Sequence, residues 1–346
     1  MKRRFVFVIA LVIGTMWVLS ANVSALDILV DYSFDTEILE SGAVSGFFNP
    51  SHSYADGSTG AQRRARLEAA ADVFSANITD DLLPIVPESG NQWQLRIRNP
   101  GIPQFEFIDD LVVPADSIIL YAGGRDLGGP ILGQADGGQI ESWSGSLEFL
   151  DTIRHRGEGP AGSFQQASDD FGPWGGTVTF TSNIVVSVDG TPTGFNWHFD
   201  ETTAGLDGTK FDFQTVALHE IGHVMGFGTS PSYVAHRVVG GDPLGTENLF
   251  TGENSVAVYG GNVPLEGSPD DLKARPQHWQ ADLLNDTTVM DTTLRVGKRS
   301  VMQPLDWAGF ADLGWEVVLI PEPGPTVLLL VALVALVVMV KRRSRS

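Results

Sequence analysis

The chain has no cysteine among its 346 residues. That excludes disulfide staples, a thiolate nucleophile and a thiolate metal ligand. Cations are also scarce: 22 Lys and Arg stand against 42 Asp and Glu, a net charge of −20. Seven basic residues and one acidic residue lie in 1–25 and 321–346, which leaves 15 basic and 41 acidic in 26–320, a net of −26. Such a body repels nucleic acid and anionic lipid surfaces. No Gly-x-Ser-x-Gly, phosphate loop or strand-to-helix dinucleotide fingerprint is present. Serine hydrolysis, nucleotide hydrolysis and dinucleotide redox chemistry therefore lose support. No internal repeat is visible. Without disulfides, stability must come from a core, which about 295 residues can supply, with bound metal as a further source.

Long apolar runs occur only at the two ends. Lys2, Arg3 and Arg4 precede a run from Phe5 to Leu19, and Val23-Ser24-Ala25 meets the small-residue rule for cleavage. Residues 1–25 read as a secretory signal peptide, with a retained anchor as the alternative. At the other end, Pro321-Glu322-Pro323 precedes an apolar run of 15 residues, Thr326 to Val340, and then Lys341-Arg342-Arg343-Ser344-Arg345. The run is slightly short for a membrane span, and its basic cluster would stay cytoplasmic. These parts, in this order, resemble the PEP-CTERM sorting signal of bacterial surface proteins. The resemblance, over 321–346, implies recognition by an exosortase, a cut near Pro-Glu-Pro, and release or attachment at the cell surface. A plain tail anchor is the alternative. Membrane contact is expected only through this segment.

The body, 26–320, reads as one α+β domain. Strands are expected over Asp27–Tyr32, Trp93–Ile97, Ser117–Tyr121, Thr177–Thr181, Ile184–Val188 and Phe195–Phe199, the fourth and fifth flanking a turn. Ala61–Ile78 has Leu67, Ala70, Ala71, Phe74 and Ile78 at helical spacing, with Arg63, Arg64, Arg66 and Glu68 elsewhere. Ser41–Gly60 and Gly123–Gly138 read as loops, and the chain after Gly226 reads as loop-rich to about residue 270. Leu305–Leu313 reads as a short helix ending at Gly314, and Val317–Ile320 as a last strand.

The densest chemical signal is His219-Glu220-Ile221-Gly222-His223. On a helix, residues four apart share a face, so both imidazoles can meet one ion while Glu220 reaches a water beside it. Two helical His that merely pack or face solvent are the bland reading. Phe211–Ala217 forms the first turns, Asp212 and Thr215 are possible caps, and Gly226 offers a stop. A catalytic zinc usually takes a third protein ligand. Candidates are His236 and His278, with a downstream Glu, either Glu247 or Glu253, as a further one.

Up to Gly226 the sequence resembles the metzincins, whose pattern places a third His at the position held here by Thr229. A late His followed closely by Met resembles the leishmanolysin-type metzincins, in which an insertion separates that Gly from the third His. The arrangement is also similar to that of a bacterial PEP-CTERM family of predicted metalloproteases. The resemblance spans about 211–315, without the disulfides of leishmanolysin. It implies a zincin-like fold with an active-site helix between an N-terminal α+β lobe and a C-terminal lobe over about 227–320. It further implies a Zn2+ cofactor on His219, His223 and His278, Glu220 as general base, and Met290 in a turn beneath the metal, with Met302 a rival and a plain core Met the alternative.

The activity so implied is an exported zinc endopeptidase acting on protein or peptide substrates. Zinc would polarise the scissile carbonyl, and Glu220 would move the proton from water to the leaving amine. Tyr233 and Tyr259 are candidate oxyanion donors, Asp306 and Asp312 candidate imidazole acceptors, and His198 a weaker candidate for a substrate or second-metal contact. His52 and His155 read as ordinary surface or strand residues. Clustered Asp could hold Ca2+, which charge alone does not establish. Two other classes stay open: a non-catalytic matrix or adhesion protein with a zincin fold, and a hydrolase of non-peptide amides.

Overall fold

Chain reversals come often, as the scatter of Gly and Pro demands, and most strands are short. The computed structural model describes residues 26–318 apart from 39–43, 161, 163–167, 242–244, 246, 268–275 and 286–287. Residues 1–25 and 321–346, on which the expected signal peptide and sorting signal fall, lie outside the described residues. Among the described residues, no helix is long and apolar enough to cross a membrane. The chain runs through β1 (Asp27–Asp31), β2 (Glu37–Ile38), β3 (Val44–Ser45), α1 (Gly60–Ser75), β4 (Gln92–Arg98), β5 (Phe105–Asp109), β6 (Ser117–Arg125), β7 (Gly133–Asp136), β8 (Gln139–Ser144) and α2 (Leu147–His155). It continues with β9 (Gly175–Thr181), β10 (Ile184–Val188), β11 (Thr191–His198), β12 (Lys210–Asp212) and α3 (Phe213–Val224). After α3 come α4 (Pro231–His236), β13 (Arg237–Val238), β14 (Asn248–Phe250), α5 (Glu253–Tyr259), β15 (Val263–Leu265) and α6 (Pro304–Asp312). The architecture is mixed α+β.

The main sheet has the order β1-β6-β9-β7. β1, β6 and β9 run parallel, and β7 pairs antiparallel with β9 at the sheet's edge. β6 has no polar alternation at its start because both of its faces are buried. Ile118, Leu120 and Ala122 join the core that holds Leu67 and Phe74 of α1 and Leu218 and Ile221 of α3. Ile119 and Tyr121 join a second core with Trp93, Leu95 and Ile97 of β4 and Phe149, Leu150 and Ile153 of α2. The first core continues to Phe250, Trp279, Phe310 and Trp315, so both halves of the chain share it.

Several expectations need correction. α1 stops at Ser75, three residues early, after starting in a capping box between Thr59 and Gln62. Arg63, expected on its polar side, is buried: its guanidinium lies 3.4 Å from the Tyr54 ring centre and 2.8 Å from Asp56. Paired charge and aromatic faces replace its water there. The loop expected over 123–138 contains the end of β6 and all of β7, since tertiary pairing with β9 overrides the weak strand propensity of Gly133-Gln134-Ala135-Asp136. β9 and β10 flank a short bend at 182–183, as expected, and β10 pairs with β11. Between Gly226 and residue 270 the described residues hold α4, α5 and a three-stranded sheet, β13-β14-β15. The last strand reduces to a single bridge between Ile78 and Val317, while 319–320 lie outside the described residues.

Candidate metal centre

α3 begins where the Asp212 carboxylate accepts the Thr215 N–H at 3.0 Å. Arg299 grips the same carboxylate at 2.7 Å, so this capping acid is both paired and buried. One helical face then carries His219 and His223, with ring centres 4.7 Å apart. The helix ends because Gly226 adopts φ +97°, a left-handed backbone that costs glycine little. That reversal returns the Phe227 carbonyl to His223, whose Nδ1 donates to it at 2.8 Å. Thr229 donates its hydroxyl to the His223 carbonyl at 2.9 Å, which caps the helix end.

His278 reaches this face from 55 residues away in sequence. Its Nε2 lies 3.0 Å from that of His223, which lies 3.1 Å from that of His219. The neighbouring Trp279 sets its position. Trp279 bridges Leu265 on one side and Asp291 on the other, its N–H donates to the Met290 carbonyl at 2.9 Å, and its indole N–H donates to Asp306 at 3.1 Å.

Each imidazole is oriented by an acceptor behind it. His219 Nδ1 meets the Val289 carbonyl at 2.8 Å, and His278 Nδ1 meets Glu266 Oε1 at 2.7 Å. A carbonyl cannot donate, so the Nδ1 of His219 and of His223 carries the proton and Nε2 presents a lone pair. Burial, with neighbouring His223 and His278, holds His219 well below the usual histidine range. Burial and His278 likewise hold His223 down to about 4, against the opposing pull of the Phe227 carbonyl and Glu266. Both are neutral at pH 7. Burial pushes Glu266 up, but the hydrogen bond and charge of His278 outweigh it, and its carboxyl ends below its ordinary value. Neutral imidazoles with anchored Nδ1–H groups are a donor set that suits a divalent transition metal such as zinc. Nitrogens about 2.0–2.1 Å from a tetrahedral ion lie roughly 3.3–3.4 Å apart; the observed spacings are close to that.

Glu220 is buried beside the triad, and burial pushes its carboxyl up to about 8. β7 passes directly over it. A Cβ at Gly133 would lie 2.5 Å from Glu220 Oε1, so no side chain fits there without moving the carboxylate. The cleft, about 660 Å3, is lined by the triad, Glu220, Gly133–Ala135, Val186, Phe211 and Leu294. Met290 is fully buried under α3; a Cβ at Gly222 would fall 2.6 Å from its sulfur. Asp306, also fully buried, accepts the Val289 and Met290 N–H groups at 2.9 and 3.2 Å. It therefore fixes the turn that supplies both Met290 and the acceptor for His219.

The other candidates lie elsewhere. His236 sits at the end of α4 against Phe250, and neither Glu247 nor Glu253 joins the triad. Met302 is partly buried at the core's edge. Tyr233 is buried between Phe227 and Phe250, and neither it nor Tyr259 lines the cleft. Asp312 accepts the Asn254 and Ser255 N–H groups at the start of α5. His198 meets the Thr202 carbonyl, His155 meets Asp151, and His52 lies against Tyr54. A second close group among the described residues, Asp80, Glu158 and Asp170, is all carboxylate. Burial, then Asp170, pushes Glu158 up to about 8, and Glu158 hydrogen bonds Asp170.

Glu266, Val289, Phe227 and Gly133 were not foreseen. No spacing rule links Glu266 to His278, and two of the others act through backbone carbonyls. Glu266→Gln is expected to weaken zinc binding about 10- to 100-fold with the fold retained, as measured by competition against a chromogenic chelator. No protein-family model, no curated protein and no solved structure matches this chain.

Proposed function

We propose that the chain is a zinc-dependent endopeptidase of zincin type, related in its site to the leishmanolysin-type metzincins. The observation that carries this reading is the convergence of His219, His223 and His278 beside buried Glu220 at the floor of an open cleft. Those three imidazoles would hold the ion. Zinc bound there supplies Lewis acidity and lowers the pKa of water to about 7. Glu220 takes a proton from the attacking water and delivers it to the leaving amine. His278 is kept in its orientation by Glu266, and Met290 supports the helix from below.

A peptide is favoured over other amides by the free edge of β7. β7 pairs only with β9 among the described residues, and its other side borders the cleft. An extended peptide can add its main chain to such an edge, which holds the scissile bond without regard to sequence. The terminal segments support export, with sorting to the cell surface by an exosortase-type system. A calcium role for the acidic group is not part of this reading.

The test is metal content together with hydrolysis. The purified chain should carry about one zinc, cleave casein, lose activity to a chelator and regain it with zinc. A zinc-loaded chain that cleaves neither casein nor any peptide would return the reading to a non-catalytic surface protein.

A further inference from the structure

We infer that Asp80, Glu158 and Asp170 form a second metal site, apart from the imidazole triad, that takes Ca2+ and secures the chain segments packed on the C-terminal end of α3. The site stands whether or not the cleft hydrolyses peptides. One oxygen from each carboxylate lies within 4.8 Å of the other two. The three come from separate parts of the chain: Asp80 follows α1, Glu158 follows α2, and Asp170 precedes β9. Close backbone approach brings them together. A Cβ at Gly172 would fall 2.8 Å from Glu158 Cγ, and one at Gly314 would fall 2.5 Å from the Asp170 Cα. Two of the carboxylates are oriented by backbone donors. The Glu316 N–H donates to Asp80 Oδ2 at 2.8 Å, and the Gly159 N–H to Asp170 Oδ2 at 3.1 Å.

The other oxygen of Asp170 points to a ligand. Asp170 Oδ1 is shielded from solvent, and no N–H or hydroxyl donor reaches it. Buried carboxylate oxygens without a partner are costly and rare in folded proteins. Asp80 is only 3 % exposed, so water does little for its charge. Among the described residues, no Lys, Arg or His forms an ion pair with any of the three. Arg156, the cation next to Glu158 in the chain, gives its guanidinium N–H groups to the Leu83, Pro114 and Pro173 carbonyls instead. Burial, with the charges of Glu316 and Asp170, pushes Asp80 up to about 7 against the pull of the Glu316 N–H. Glu158 meets Asp170 as one carboxyl meets another, so the pair needs a shared proton or a shared cation. A proton serves one pair, whereas a cation serves all three groups at once. Oxygen-only ligands select a hard ion. Ca2+ binds oxygens at about 2.3–2.6 Å in flexible geometry, so ligands on opposite sides of it stand up to roughly 4.6–5.2 Å apart. The three carboxylates already fall within that span. Mg2+, at about 2.0–2.1 Å and near-octahedral, demands a tighter set.

The neighbours of the site give its consequence. Phe171, beside Asp170, packs edge-on against Trp315 with ring centres 6.2 Å apart. The Trp315 indole N–H donates to the Met225 carbonyl at 2.8 Å, and Met225 is the residue that ends α3. Calcium therefore ties together the segments that carry Phe171 and Trp315, and these brace the helix that bears His219 and His223.

The experiment titrates the zinc-loaded full chain with calcium chloride at constant free zinc, by isothermal calorimetry and by thermal melting. The proteins are wild type, Asp170→Asn and Glu158→Gln. Wild type should bind about one Ca2+ with a Kd on the order of 10⁻⁴ M and gain about 5 °C in Tm in about 10 mM calcium. Each variant should bind calcium at least about tenfold more weakly and lose most of that gain, with zinc content unchanged. Without calcium, both variants should melt at or above wild type, because removing one charge relieves repulsion among the carboxylates. That crossing separates a lost ligand from a damaged fold. If one variant does not fold, the other and the wild-type stoichiometry carry the reading. Absence of calcium binding by wild type overturns the site and leaves the carboxyls sharing protons. An equal gain from magnesium, or a full calcium gain in the variants, overturns it as well. Casein hydrolysis tests the peptidase reading separately, so the two can fail independently.

Discussion

Glu220→Gln should lower kcat for peptide hydrolysis by about 10²- to 10⁴-fold, the usual contribution of a general acid–base group, while zinc content stays that of the wild type. The two halves of this expectation have separate causes. Gln matches Glu in shape but cannot take a proton from water. Metal binding is untouched because no imidazole leans on Glu220: the three Nδ1 atoms meet Phe227, Val289 and Glu266. The amide should also fit its site. Burial raises the Glu220 carboxyl from 4.5 to about 8 in the metal-free protein, so the environment disfavours the ionised form. For a carboxyl raised on folding, the contribution to stability is full below the unfolded pKa and is lost as pH rises through the folded one. Metal-stripped Glu220→Gln should therefore melt above metal-stripped wild type at pH 8, and the gap should close toward pH 4. The measurements are kcat on casein or a library peptide, metal analysis, and calorimetry in chelator. Wild-type activity in the Gln variant would remove Glu220 from the mechanism.

The helical part of the site was legible because its information is local. His219 and His223 are one turn apart, Asp212 caps the helix, and Gly226 ends it. The fold was legible to the same extent. β6 and α1 announce themselves by apolar runs and spacing, whereas β7 does not, because Gly133-Gln134-Ala135-Asp136 is a strand only through its pairing with β9. That strand also supplies the cleft's edge, so the least predictable element is the one that borders the candidate site. Glu266 was missed for a related reason. Its role depends on β15 lying beside the segment of His278 and Trp279, a contact set by tertiary packing. Asp306 was a candidate acceptor for an imidazole and instead binds the turn that provides one. Arg63 was misassigned because its sequence neighbours do not reveal the Tyr54 and Asp56 partners that make its burial tolerable.

His278→Ala should reduce zinc affinity by more than the roughly 10- to 100-fold expected for loss of an outer partner such as Glu266, and peptidase activity should fall with it. His236→Ala should do neither, since His236 lies against Phe250 outside the triad. His278 lies 55 positions after His223, and the segment between them must be closed to bring it to the site. A free loop of that length would leave the third imidazole scattered, and its ordering would oppose binding. Here the ordering is done before any ion arrives. Trp279 is buried in the shared core, bonded to the Met290 carbonyl and to Asp306, and bridged to Leu265. Asp306 in turn holds the Val289–Met290 turn against α3. His278 itself keeps a partly exposed side chain, so its removal takes little from the core. The metal-free variant should therefore melt near the metal-free wild type. The stabilisation by zinc, about 2.7 kcal/mol when zinc is at 100 times its dissociation constant, should shrink or vanish in the variant. Calorimetry with and without zinc, on both His variants, separates a lost ligand from a damaged fold. Undiminished zinc stabilisation in His278→Ala would mean that another residue completes the site.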